Sequence, residues 1–313
     1  LYKGKALTEN AKETKTKNLP LREMQKKMKK DSVDLISNLL EVDAKKAGSL
    51  GFMARPLVQV TLPHRDPGNV PVFARSAGNL QLTIQPLMNE KKGKIINYGI
   101  PYGTIPRLVL AWLTTEVVKT KGKEIPLGDS LSAFMRELEM VPTGGRWGTI
   151  TRLREQVKRL FSSTFSIIYD NDKNFSTAGF KIAQRAHFFW DPLNPEQGAL
   201  FGSFIVLSDE FYREIIAHPV PLDTRILRAL RNSPFAIDLY TWLTYRVSYL
   251  QGETMIPWEM LQEQFGADYA EVKTFKFNLV RNLKKILALY PVKVTAGDKG
   301  LLLMPSAPSI SRK

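Results

Sequence analysis

The chain has no cysteine in 313 residues, which excludes disulfides, thiolate nucleophiles and cysteine zinc sites. Histidine is almost as scarce: His64, His187 and His218 stand more than 30 residues apart, with no carboxylate pattern beside them, so no metal site is expected. No apolar run approaches the roughly 20 residues that span a bilayer, and the opening residues lack an apolar signal core. The expectation is a soluble, unexported, cytoplasmic protein with no membrane-spanning segment. Neither Gly144-Gly145 nor Gly202-Ser203 leads into Gly-Lys-Ser/Thr, so no phosphate loop is present, and no constellation of reacting groups is found. The chain is therefore expected not to be an enzyme and to carry no cofactor. Acidic residues are the other deficit, 30 against 45 Lys and Arg, which leaves a net charge of +15. An excess of that size repels itself in the free protein and points to a polyanion, nucleic acid or an anionic membrane surface, as the partner.

The charge is unevenly spread. Residues 1–30 hold ten Lys or Arg against three acidic residues and few apolar ones before Leu19, a composition that predicts a disordered basic arm. Such an arm would add sequence-independent attraction to phosphate, although a solvated tail without a partner has the same composition. From Leu21 to Ala47 the spacing of Met24, Met28, Val33, Ile36, Leu39 and Leu40 turns helical. Residues 52–98 combine Pro56, Pro63, Pro67, Pro71 and Pro86 with short β-like runs, Leu57–Leu62, Val70–Ala74 and Leu80–Gln85, which favours strands and loops.

The stretch Pro126–Phe161 reads as two helices meeting at a tight turn. Asp129 or Ser130 can cap the first, whose buried face is Leu131, Phe134, Met135 and Leu138. Pro142 and Gly144-Gly145 stop it. The second starts near Trp147 and buries Ile150, Leu153, Val157 and Leu160, leaving Arg146, Thr149, Arg152, Arg154, Lys158 and Arg159 outside or on the shoulders as candidate DNA contacts. A basic rod of this width fits the major groove of B-DNA. Before it lies a helix launched at Thr104, with Thr104 as cap and Pro106 in its first turn, and an extended link, Gly122–Pro126. After it come strands Thr164–Asp170 and Phe180–Trp190, a further strand Phe204–Leu207, and a helix capped by Ser208. His187-Phe188-Phe189-Trp190 could stack bases, but a buried strand is the stronger reading.

Past Asp223 the order repeats. A basic segment with Arg225, Arg228 and Arg231 leads to Ser233-Pro234, a cap and first helical position. The helix that follows, with Ile237, Leu239, Tyr240, Trp242 and Leu243, is apolar nearly all round. Gly252–Trp258 is a second proline-closed link, Glu259–Phe265 a short helix, and Asp268–Leu289 a long one burying Val272, Phe275, Leu279, Leu283 and Ile286. Its exposed face carries Lys273, Thr274, Lys276, Asn278, Arg281, Lys284 and Lys285. Val292–Thr295 and Leu301–Met304 close a hairpin through Gly297–Gly300, where Lys299 completes the candidate contacts. Packing does not require both third helices to be cationic outside. The reading is α+β, with tandem winged-helix domains after a basic, disordered N-terminal arm: residues 1–50 arm and helical extension, 51–222 first winged helix with extra strands, 223–313 second winged helix.

The block from Gly99 to Trp112, continuing through Ser130–Leu138, with Phe188-Phe189-Trp190-Asp191 further on, resembles the RepA-type replication initiators of plasmids over roughly residues 70–305. The resemblance implies binding of double-stranded DNA at repeated origin sites (iterons), opening of an adjacent A·T-rich tract, and helicase loading together with the host initiator DnaA. It also implies that the second domain reads bases while the first contacts backbone as a monomer and pairs as a dimer. Residues 1–50 match no part of that pattern. A rolling-circle mechanism would need paired histidines and a tyrosine nucleophile, and the histidines here are isolated. Two other readings remain open: a winged-helix repressor, autoregulatory if the dimer represses, and a binder acting through charge alone.

Overall fold

The computed structural model describes residues 43–171, 173–191, 193–198, 202–266 and 269–310. The basic arm and most of the helical stretch expected before Ala47 lie outside these residues. Two units with the same element order carry the fold, a mixture of helix and sheet.

The first unit opens with strand β1 (Leu50–Ala54), helix α1 (Arg55–Gln59), strands β2 (Phe73–Ala77) and β3 (Leu80–Gln85), and the hairpin β4 (Met88–Lys91) and β5 (Lys94–Asn97). The run Leu57–Leu62, expected as a strand, begins as α1 because Pro56 suits a first turn, where its missing amide has no acceptor. Helix α2 (Thr104–Thr120) is entered from Gly103 at φ 77°, a conformation that glycine adopts without steric cost, and no side chain caps it. Thr104 is therefore the first helical residue rather than the cap. Strand β6 (Glu124–Pro126) leads to α3 (Leu131–Glu137), where Ser130 accepts from the amide of Ala133, and then to α4 (Thr149–Ser162).

After α4, strand β7 (Thr164–Asp170) lies where expected, but its hairpin partner is β8 (Phe175–Lys181), which begins five residues before the expected strand from Phe180, and the pair lies in a sheet of order β2-β3-β7-β8. Phe165 and Phe180 stack across it at 5.7 Å. The strand expected over Phe180–Trp190 is two strands in two sheets. At Ile182, fully buried, the ladder is interrupted: its carbonyl accepts from the amide of Ser208, and the Ser208 hydroxyl donates to the carbonyl of Lys181. Strand β9 (Ala183–His187) then pairs with β10 (Phe204–Leu207), giving order β6-β10-β9. Residues 188–190 leave the sheet, since Phe188 turns onto Phe161 at 6.0 Å and Trp190 onto Phe134 at 5.3 Å. They form no strand; Phe188 and Trp190 pack inward, whereas Phe189 stays exposed beside His187 at 6.2 Å. Ser208 caps α5 (Asp209–Ala217), and β11 (Pro219–Asp223) pairs antiparallel with β1.

Asp223 caps α6 (Thr224–Leu230), and Ser233 caps α7 (Pro234–Val247), buried on nearly every side. Strand β12 (Thr254–Pro257), α8 (Trp258–Phe265), α9 (Val272–Leu287), β13 (Val294–Ala296) and β14 (Gly300–Leu303) follow, with sheet order β12-β14-β13. Helix, strand, helix, helix and a three-stranded sheet whose last strand lies in the middle is the order in both units, the first carrying β7–β8 as an insertion. Among the described residues no helix is long and apolar enough to cross a membrane.

One apolar core runs from Met53 to Leu303 through both units. Buried polar groups cross between them as well. Arg107 on α2 donates from Nε and Nη2 to the two carboxylate oxygens of Asp238 on α7, at 2.7 and 2.6 Å, and its remaining donors reach the carbonyls of Leu62, Pro63 and Gly103. Asp238 also takes Nε2 of His64 at 2.8 Å. Burial opposes ionisation of Asp238, but the Arg107 guanidinium and the His64 bond outweigh it and hold the carboxyl below its ordinary range. Burial dominates at His64 and pushes its pKa down despite Asp238, so a neutral imidazole donates from Nε2. Gln264 on α8 donates to the carbonyl of Gln59, and its own carbonyl accepts from the Thr61 hydroxyl. Residues 59–64 are thus laced to both units at once.

Candidate nucleic-acid interface

The turn between α3 and α4 is closed by two threonines. The amide of Thr143 donates to the Thr149 hydroxyl, the amide of Thr149 to the Thr143 hydroxyl, and Thr149 Oγ1 to the carbonyl of Val141 at 2.7 Å. A Cβ at Gly148 would lie 2.2 Å from the carbonyl oxygen of Thr143, so this close approach requires glycine. With its hydroxyl engaged, Thr149 starts the helix rather than projecting from it. On α4, Arg152 and Lys158 are exposed with Glu155 between them, and Arg154 is half-buried. Arg146 lies over the ring of Trp147 at 5.1 Å, and Trp147 is itself 81% exposed. Arg159 departs from the expected face. Its guanidinium sits over Tyr102 at 5.2 Å and donates to the carbonyl of Ile100 and to Asp66, at 3.3 and 3.4 Å.

The second unit presents a more continuous face. Lys273, Thr274, Arg281, Lys284 and Lys285 are exposed along α9. Asn278 is half-buried and preorganised: Nδ2 donates to the Thr274 carbonyl at 2.9 Å, and Oδ1 accepts from Arg281 Nη2 at 2.7 Å. Lys276 is turned toward the hairpin, where Nζ lies over the Trp258 ring at 5.1 Å and donates to the carbonyl of Gly297. The Trp258 indole donates to the carbonyls of Gly297 and Asp298, pinning the β13–β14 turn, with exposed Lys299, against the start of α8.

At the centre of this face is Phe277, 66% exposed, with Lys273, Lys276, Val280, Arg281 and Lys284 around it and the Arg281 guanidinium 5.9 Å from its ring. Counting polar residues along the helix passes over it. Its position four residues after Lys273 and four before Arg281 is the signal that finds it, because residues at that spacing share a helix face. An aromatic edge among cations can touch a thymine methyl while its neighbours hold phosphate or base edges.

The family model described as plasmid encoded RepA protein matches residues 100–259, 160 of 313 residues. No curated protein matches the sequence. Among solved structures, domains 2 and 3 of RctB, determined as selenomethionine derivatives, superpose with a TM-score of 0.52 at 12% identity, covering 81% of this chain and all of that one (100%). A second structure of RctB domains 2–3 gives a TM-score of 0.49 at 12% identity, covering 81% and 97%. At that identity the first likeness is one of fold, and it extends across both units. The family match begins just before α2 and ends at the start of α8, spanning the junction between the repeats, and the chain accordingly belongs to the family of plasmid-encoded RepA proteins.

Proposed function

We propose that this protein initiates plasmid replication by binding repeated duplex sites at an origin, promoting opening of a neighbouring A·T-rich tract and loading of the host helicase. The observation that carries the reading is the repetition: two units of one element order each turn a cationic helix outward, within a chain of a plasmid-encoded family. Packing accounts for the apolar stripe of each helix but not for its outer cations. Helix α9 and the Lys299 turn serve as the base reader, and α4 as the backbone contact. The protein acts without chemistry of its own, and the host factors engaged are DnaA and the replicative helicase.

Footprinting of the purified chain on the DNA flanking its gene tests this. Direct repeats each spanning about two helical turns, roughly 20 base pairs, beside an A·T-rich tract are the expected protected elements. Protection confined to one palindrome over a promoter would make the protein a dimeric repressor instead.

A further inference from the structure

Between the two cationic helices lies the loop of residues 63–71, and its neighbours fix it on both sides. Asp66 accepts from Arg159 of α4 at 3.4 Å, while His64 and Arg65 line a cleft with Glu271, Thr274 and Asn278 at the start of α9. His64 is anchored underneath by Asp238 at 2.8 Å and stacks on Phe235 at 5.3 Å. Residues 64 and 66 are therefore tied down. Arg65, between them, is exposed and has no hydrogen bond or ion pair among the described residues. Elsewhere in this region the arginines are spoken for: Arg107 by Asp238, Arg159 by Asp66 and Tyr102.

We propose that Arg65 enters the minor groove between the two major-groove segments covered by α4 and α9, and selects A·T-rich sequence there. The inference rests on the proposed duplex reading. On one face of B-DNA, successive major-groove segments lie about 34 Å apart, with a minor groove facing the protein between them. On this proposal, the loop that touches both helices lies over that groove. A·T runs narrow it and deepen its negative potential, and a guanidinium on a preorganised loop responds to that potential more than a hydrated ammonium does. The buried Arg107–Asp238–His64 cluster then has a role beyond stability, because it sets the height and register at which Arg65 is presented.

The test selects duplexes with a randomised interior using the full chain, followed by hydroxyl-radical footprints of the enriched DNA. Wild type should enrich two outer segments with an A·T-rich half-turn between them, protected in the minor groove. Arg65→Ala should keep the outer segments, lose the A·T preference and bind about tenfold more weakly. Arg65→Lys should recover affinity but not the preference. An Arg65→Ala variant that loses affinity equally on every interior, or retains the A·T preference, overturns the inference and leaves the duplex reading standing. Arg281→Ala serves as the control that alters an outer segment alone. Failure of wild type to enrich any outer pair overturns both readings.

Discussion

At Asp238 both carboxylate oxygens are occupied inside the protein, by Arg107 and His64, at the point where α2 of the first unit meets α7 of the second. Taking three such groups out of water is costly, and their mutual bonds offset the cost only while all are present. Asp238→Ala leaves the Arg107 guanidinium buried without its counter-ion, and should lower stability by about 3–5 kcal/mol in denaturant titration. Acid should weaken the same cluster. His64 has a folded pKa below its ordinary 6.5, so its contribution is complete above that value and is lost as pH falls toward the folded pKa, while Asp238, also depressed, follows below 3.8. Thermal scans between about pH 7 and pH 5 should show the melting temperature falling for wild type and staying flatter for His64→Gln; parallel curves would contradict this. None of it is legible in the sequence. Arg107 and Asp238 are 131 residues apart, and an isolated histidine gives no hint of a partner. Arg159 is hidden for a related reason: helical spacing puts it on the shoulder of α4, and only the fold brings Asp66 and Tyr102 underneath it.

Helix α9 is the element on which specificity is expected to rest, since its Asn278–Arg281 pair is already bonded at 2.7 Å and needs little further ordering to meet a base edge. Arg281→Ala should reduce discrimination between cognate and scrambled duplexes by about 1–3 kcal/mol, whereas Lys158→Ala on α4 should weaken both alike. Competition binding decides it, and equal losses for both variants would mean the reading face is misassigned. The basic arm is a separate element with a separate expectation. Residues 1–20 carry five lysines against two glutamates, and deleting them should flatten log K against log salt by up to about 0.9 for each phosphate that is no longer neutralised, with site preference intact. An unchanged slope would place the arm off the DNA. Elements with strong local signals are legible in the sequence: Ser130, Ser208 and Ser233 cap where their side-chain oxygens suggest, and the order from α7 to β14 follows from helical stripes and a glycine turn. Sheet membership is not, because alternation of residues identifies a strand but not its neighbour. So Thr164–Asp170 and Phe180–Trp190 read, in sequence, as the closing hairpin of the first unit, a place that β9 and β10 in fact hold.

For the molecule as a whole, two units with one shared core and one set of crossing polar bonds suit binding of a duplex site by a single protomer. The family resemblance implies pairing through the first unit, and we propose that the dimer must separate before it binds direct repeats. DNA would then select the monomer by mass action, and the apparent dissociation constant would rise with the fraction held as dimer. Net charge of +15 also weakens pairing in the free protein, since like-charged protomers repel. The most direct measurement is the mass of the complex formed when a dimer-enriched preparation of the full chain meets a duplex carrying one repeat, read by light scattering. One protomer on each duplex is the predicted result; two on every duplex would contradict it and make the protein a dimeric repressor.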